Sequence, residues 1–370
     1  MDDDLRYWIG FNRVNGIGPV RLRALQDYFG DLATAWHAEP EALRAAGLDA
    51  RLAEGVTRLR AHVDLDAELE RVERAGITLL TLDSPDYPRL LRQISGAPPL
   101  LYVKGELTLD DEFAVAVVGT RAATTYGRAV TERLSTELAQ HNVTVVSGLA
   151  VGIDTFAHHA ALQAGGRTVA VLACGLDIVY PASNKVLAER IAGQGALVSE
   201  HPLGTRPDAH HFPARNRIVS GLSLGVLITE AGESSGALIT ARMAAEQGRD
   251  VFAVPGRITD VKSAGTNGLI QTGAKLVTSV RDIVEELNLR TVVEQRTVQL
   301  ALPEDETERA LIGFLSADPV HIDELRRAAD LPMPVVSATL ALLEVKGLVR
   351  QVGGMNYVVA RETAAPYRIE

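Results

Sequence analysis

Cysteine is all but missing from this 370-residue chain: Cys174 stands alone, which excludes an internal disulfide and any multi-cysteine zinc site. It lies among valine and alanine, so a buried packing thiol is expected there rather than a nucleophile. Aromatic residues make up only 5 % of the chain, which argues against an aromatic-rich stacking surface. No apolar run approaches the roughly 18 residues that a membrane-spanning helix needs. The first residues, MDDDLRYW, are acidic where a secretory signal is basic, so a cytoplasmic location without a membrane partner is expected. Positive charge is also in short supply, because 37 Lys and Arg face 47 Asp and Glu for a net −10. Net charge governs solubility and non-specific sticking, whereas binding answers to the local field of a cleft. Basic residues therefore have to be sought as a cluster.

What is present is an ordinary apolar fraction of 46 %, in a chain long enough for two or three domains of roughly 100–200 residues each. Residues 1–64 read as a helical domain of short helices. Within it, Gly16-Ile17-Gly18 separates two apolar-periodic segments, and Pro19 suits the first turn of the second. This resembles a helix-hairpin-helix, which either presents backbone amides to a phosphate or merely packs. Residues 65–290 alternate valine-rich strands with helices. The strands VAVVGTR, VTVVSGLAVG, TVAVLACGLD, ALVSEHPLG, LGVLITEAGE and DVFAVPGR do not alternate with polar residues. Such strands are buried on both faces, so an α/β fold with a doubly wound, Rossmann-like parallel sheet is predicted. Residues 291–304 read as a linker. Residues 305–370 give three helices and a hairpin turning at Gly353-Gly354, the pattern of a winged helix.

In an open α/β sheet, ligands bind beyond the carboxyl ends of the strands. Here those positions hold Gly119-Thr120-Arg121, SGLAVGID (147–154), CGLDIVYPASNK (174–185), the long segment EHPLGTRPDAHHFPARNR (200–217) and TEAGESSGALITA (229–241). Glycines at such turns let the backbone approach an anion, a role that suits Ser147, Gly148, Gly152, Ser234, Ser235 and Gly236. Arg121, Lys185, Arg215 and Arg217 lie on three of these loops, with Asn216 between the two arginines. Arginine forks match phosphate oxygens, so one rim of such residues would track consecutive phosphates. The alternative for Arg215 and Arg217 is a structural ion pair with Glu200 or Glu230. Neither the dinucleotide Gly-x-Gly-x-x-Gly nor the triphosphate loop Gly-x4-Gly-Lys-Ser/Thr occurs, so no nucleotide cofactor is expected. The pairs His158-His159 and His210-His211 lack metal-ligand spacing, and no metal is expected. His158 follows Asp154 by four residues, as in a hydrogen bond on a helix surface. Asp154, Asp177, Glu200 and Glu230 could form a cluster for acid–base work or could orient the arginines.

These segments resemble the motifs of the DNA-processing protein A (DprA/Smf) family. The resemblance covers SGLAVGIDTFAHHAAL, CGLDIVYPASNK, FPARNRIVSGLS, ESSGALITA, VFAVPG and SAGTNGLIQTGA, over roughly two hundred residues and in the family's order. Ala237 departs from it, where the family commonly has serine. The resemblance implies binding of single-stranded DNA by the Rossmann-like domain, self-association as a homodimer, and loading of the RecA recombinase during natural transformation. It implies no catalysis and no cofactor. It assigns DNA contacts to Gly119, Arg121, Lys185, Arg215, Asn216 and Arg217.

Two other functions compete. A phosphoribohydrolase acting on nucleotides shares this kind of fold but carries a Pro-Gly-Gly-x-Gly-Thr loop, which TEAGESSGALITA does not match. A winged-helix transcription regulator needs Arg, Asn, Gln or Lys on its reading helix. PVVSATLALLEVKG offers Ser337, Thr339 and Lys346, with Glu344 unfavourable. Finally, Leu269, Ile270, Leu276 and Val277 at the end of the Rossmann-like region form either internal core or a subunit contact.

Overall fold

The computed structural model describes residues 5–289, 306–316, 319–345 and 348–359. The expected linker at 291–304 lies outside the described residues, as does Lys346. The chain divides into two compact units, Met1–Leu287 and Asn288–Glu370.

The first unit begins with six helices, from α1 (Leu5–Asn12) through α2 (Pro19–Phe29), α3 (Leu32–His37), α4 (Pro40–Ala45) and α5 (Ala50–Arg60) to α6 (Leu65–Arg74). Gly10 lets α1 meet α3, since a Cβ there would lie 2.7 Å from the Trp36 ring. Phe11 then meets Trp36 edge to face at 5.2 Å. Helix α6 packs on α1, so the helical layer runs on past residue 64. One apolar cluster joins Trp8, Phe11 and Leu25 to Leu172, Cys174 and Leu197 of the sheet region. Asn12 also donates to the Glu200 carbonyl at 2.9 Å. The helices are thus cemented to the sheet.

The sheet itself has nine strands: β1 (Ile77–Thr81), β2 (Leu100–Gly105), β3 (Ala114–Val118), β4 (Thr144–Ser147), β5 (Thr168–Val171), β6 (Ala196–Ser199), β7 (Gly225–Ile228), β8 (Asp250–Ala253) and β9 (Lys275–Leu276). Their order is β1-β2-β6-β5-β4-β3-β7-β8-β9. From β6 to β9 the pairing is parallel, as the unalternating strands predict, and β3 to β7 are buried along their whole length. β1 and β2 add an antiparallel margin. Between strands run α7 (Arg89–Arg92), α8 (Thr125–Gln140), α9 (Ile153–Gln163), α10 (Lys185–Gln194), α11 (His211–Gly221), α12 (Ala237–Glu246) and α13 (Ala264–Gln271). The winding leaves β3 toward β4 on one side and leaves β7 toward β8 on the other. A crevice therefore opens beyond the carboxyl ends of β3 and β7, at the switch point where such sheets hold ligands.

The second unit is a winged helix. Helices Glu306–Gly313, Ile322–Ala329 and Met333–Val345 enclose Leu311, Leu325, Val336, Leu340 and Leu343. The strands β10 (Val320–His321), β11 (Val349–Gln351) and β12 (Asn356–Val359) form the wing, ordered β10-β12-β11. Its turn takes positive φ at Gly353, Gly354 and Met355, where glycine was expected to reverse the chain. Among the described residues, no helix is long and apolar enough to cross a membrane.

Candidate nucleic-acid interface

Six loops converge on the switch point and enclose a pocket of about 820 Å³. Its floor is set by Arg215, near the start of α11. The side chain is 4 % exposed, and Nη1 donates to the Val171 carbonyl at 2.9 Å. Nε is buried with no acceptor. The guanidinium lies flat against Gly148: a Cβ there would stand 1.7 Å from Nη1, so only glycine admits the arginine. Burial pulls the Arg215 pKa down, and the nearby Asp154 carboxylate opposes that pull. Asp154 is itself buried, and accepts from the amides of Gly148 at 3.1 Å and Ala150 at 3.3 Å. Burial pushes its carboxyl up, against the pull of Arg215 and those amides. The alternative partners for Arg215, Glu200 and Glu230, are engaged elsewhere.

Glu230 ties the β3 and β7 loops together. Its carboxylate accepts from the Thr124 amide at 2.8 Å and from the Thr124 hydroxyl, while its carbonyl accepts from the Thr120 amide at 2.8 Å. Gly119 fits beneath, where a Cβ would lie 2.6 Å from Ile153. Gly152, at φ 84°, is equally constrained, because a Cβ would strike the Thr120 carbonyl at 2.5 Å. Leu149 adopts φ 57°, unusual for a branched residue, and its carbonyl accepts from the buried Asn184 at 2.9 Å. Asn184 also reaches the Thr155 hydroxyl at 2.8 Å and so pins the start of α10.

Of the residues singled out in the sequence, Gly119, Arg121, Gly148, Asp154, Arg215, Asn216, Ser234, Ser235 and Gly236 line the pocket. Among the phosphate-binding candidates, Gly152, Ser147, Arg217 and Lys185 do not. Ser147 is fully buried and spends its hydroxyl on the Val117 carbonyl at 2.6 Å, which stitches β4 to β3. Arg217 points away and grips Glu200 with two bonds of 2.9 and 2.6 Å, so the structural ion pair holds for this arginine. Lys185 is exposed as the first residue of α10, outside the pocket lining. The four carboxylates are dispersed over separate contacts, Asp177 meeting Arg71 at 2.6 Å and the Gly204 amide at 2.9 Å. His158 is no surface group: it is fully buried, its Nδ1 lies 2.7 Å from the Thr168 hydroxyl, and burial pushes its pKa down to about 3.

Three pocket residues escaped the sequence reading. Arg121 holds its guanidinium over the Phe212 ring at 5.3 Å, and Tyr180 meets Phe212 at 5.6 Å and 55°. Aromatics are scarce overall, yet two of them line this cation-bearing pocket. Lys262 is the third. The signal for both rings was local, since YPASNK and HFPARNR set them beside the very residues chosen for charge.

A family model described as DNA recombination-mediator protein A matches residues 78–288, and one described as DprA winged helix domain matches residues 295–355. Protein Smf of Synechocystis sp. is 36 % identical across 95 % of this chain and 98 % of its own length. DNA processing protein DprA of Bacillus subtilis is 46 % identical over 59 % of this chain and 73 % of that protein. The solved structure of DNA processing protein A from Streptococcus pneumoniae superposes with a TM-score of 0.67 at 39 % identity, covering 76 % of this chain and 97 % of that one. A structure describing the single-stranded DNA binding mode of DNA processing protein A from Helicobacter pylori superposes at 0.53 with 32 % identity, over 58 % and 96 % of the two chains.

Proposed function

The chain belongs to the DNA recombination-mediator protein A family, and from that premise we propose that the crevice beyond β3 and β7 holds single-stranded DNA by its phosphates. The observation that carries this reading is the pairing of two cations in one pocket, Arg215 buried at its floor and Arg121 exposed at its rim. The floor cation draws an anion into the pocket, and an exposed guanidinium grips its phosphate oxygens. Arg121 meets the same strand at the rim, with Lys185 on the neighbouring loop taking a flanking phosphate. Asn216 and the backbone around Gly119, Gly148, Ser235 and Gly236 supply hydrogen bonds. Tyr180 and Phe212 offer faces on which unpaired bases stack, which favours a single strand over a duplex. The single-stranded DNA binding described for the Helicobacter pylori relative supports the same assignment.

On this reading the protein is a recombination mediator. It covers incoming single strands in the cytoplasm, acts as a homodimer, and passes the DNA to the RecA recombinase in natural transformation, with no turnover and no cofactor. The phosphoribohydrolase alternative needs a carboxylate free to work on substrate, whereas Glu230 is held by Thr124. A mobility-shift comparison of single- and double-stranded oligonucleotides tests the binding. Preference for the single strand, with affinity weakened in Arg121→Ala, is the expected result. Equal binding of both forms, or release of base from a nucleoside monophosphate, contradicts the reading.

A further inference from the structure

Strand β8 leads into residues 255–263, which cross the crevice before α13 begins. The segment is tied down along its length. Tyr126 Oη donates to the Pro255 carbonyl at 2.8 Å, and the Asn267 amide bonds both the N–H and the carbonyl of Gly256 at 3.1 Å. Lys262 Nζ donates to the Ala122 carbonyl, in the loop after β3. The chain passes close over the β7 loop, where a Cβ on Gly232 would stand 3.2 Å from the Val261 carbonyl. Yet this well-tied strap exposes Ile258 at 97 % and Val261 at 80 %. Val261 and Lys262 line the same pocket as Arg121 and Arg215.

An ammonium resting on a neutral carbonyl makes a weaker bond than one on a phosphate. A branched apolar side chain beside it, facing a pocket with two arginines, fits the flat face of a base whose phosphate the ammonium takes. We infer that this strap is a second wall of the DNA site, on which Lys262 binds a backbone phosphate and Val261 packs against the adjoining base. The inference rests on the single-strand reading above. A protein partner would also cover exposed apolar groups, but it has no need of a cation turned toward the arginines.

The test is fluorescence anisotropy of a labelled oligothymidylate with the full chain, titrated at several salt concentrations. One phosphate contact on a single strand contributes about 0.7 to the salt slope, so Lys262→Met weakens binding about eightfold at 0.05 M salt and about threefold at 0.2 M. Lys262→Arg restores both affinity and slope. Val261→Ser weakens binding without changing the slope, because no charge is lost. Thermal melts of each variant confirm that the fold persists. If wild type binds and Arg121→Ala loses affinity while Lys262→Met and Val261→Ser match wild type, the second wall is wrong and the strap is left to a protein partner. If wild type itself fails to bind the oligonucleotide, the single-strand reading falls and the second wall falls with it.

Discussion

Arg215 and Arg217 are two residues apart on one helix and meet opposite fates. Arg215 turns into the pocket against Gly148, while Arg217 turns outward to Glu200. The two positions therefore respond differently to substitution. Gly148→Ala forces a methyl onto the guanidinium, and an overpacked site of this kind costs about 1–3 kcal/mol. Urea denaturation should record that loss together with weakened oligonucleotide binding; a variant that keeps both would show that Arg215 does not depend on the glycine. Arg217→Ala and Glu200→Ala should each destabilise by an amount between the roughly 1 kcal/mol of an exposed pair and the roughly 3 kcal/mol of a buried one. The salt slope of DNA binding should be the same in Arg217→Ala as in wild type. A flattened slope would return Arg217 to the phosphate track. The sequence could not separate these two arginines, because which way each points depends on how α11 seats against β5 and α12.

At the scale of elements, helix α9 carries a titration that its sequence disguised. His158 reads as a surface group near a helix start, but α9 is packed against β4, and the ring ends buried on Thr168. Its folded pKa, about 3, lies below the ordinary value of 6.5. The unfolded chain therefore binds a proton that the folded chain refuses. The stability this contributes is complete above pH 6.5 and is lost progressively as pH falls toward 3. Between pH 6.5 and 5, before most carboxylates titrate, the slope attributable to His158 approaches about 1.4 kcal/mol per pH unit. Subtracting the pH profile of His158→Gln from that of wild type isolates it, and parallel profiles would refute the assignment. The strand–helix alternation, the parallel core and the winged helix were legible, because burial on both faces and turn glycines leave marks in composition. The antiparallel β1 and β2 were less so, being apolar strands like the rest. The clustering of Tyr180 and Phe212 was missed because a whole-chain count of aromatics averages over the two loops that bring them together.

For the whole molecule, the proposed homodimer would couple assembly to the proposed DNA binding by pairing two sites. The edge strand β9 leaves Leu276 43 % exposed, while Val277 is fully buried and Leu269 is half-buried against the core beneath the sheet. Leu276→Arg is therefore the cleaner probe of the proposed homodimer: it should give a folded monomer by light scattering, with weaker but surviving DNA binding as paired sites are lost. Leu269→Arg should also lower the melting temperature, since it disturbs packing within one subunit. A wild-type monomer would remove the dimer from the account. The central claim is that phosphates of a single strand enter the pocket beside Arg121, an exposed residue whose loss does not uncover a buried charge. The salt dependence of oligothymidylate affinity, measured for wild type and Arg121→Ala, tests it most directly. With Arg121, Lys185, Arg215 and Lys262 each on one phosphate, log affinity against log salt should fall with a slope of about −2.8, and Arg121→Ala should flatten it to about −2.1. A wild-type slope near zero, or an unchanged slope in Arg121→Ala, would contradict it.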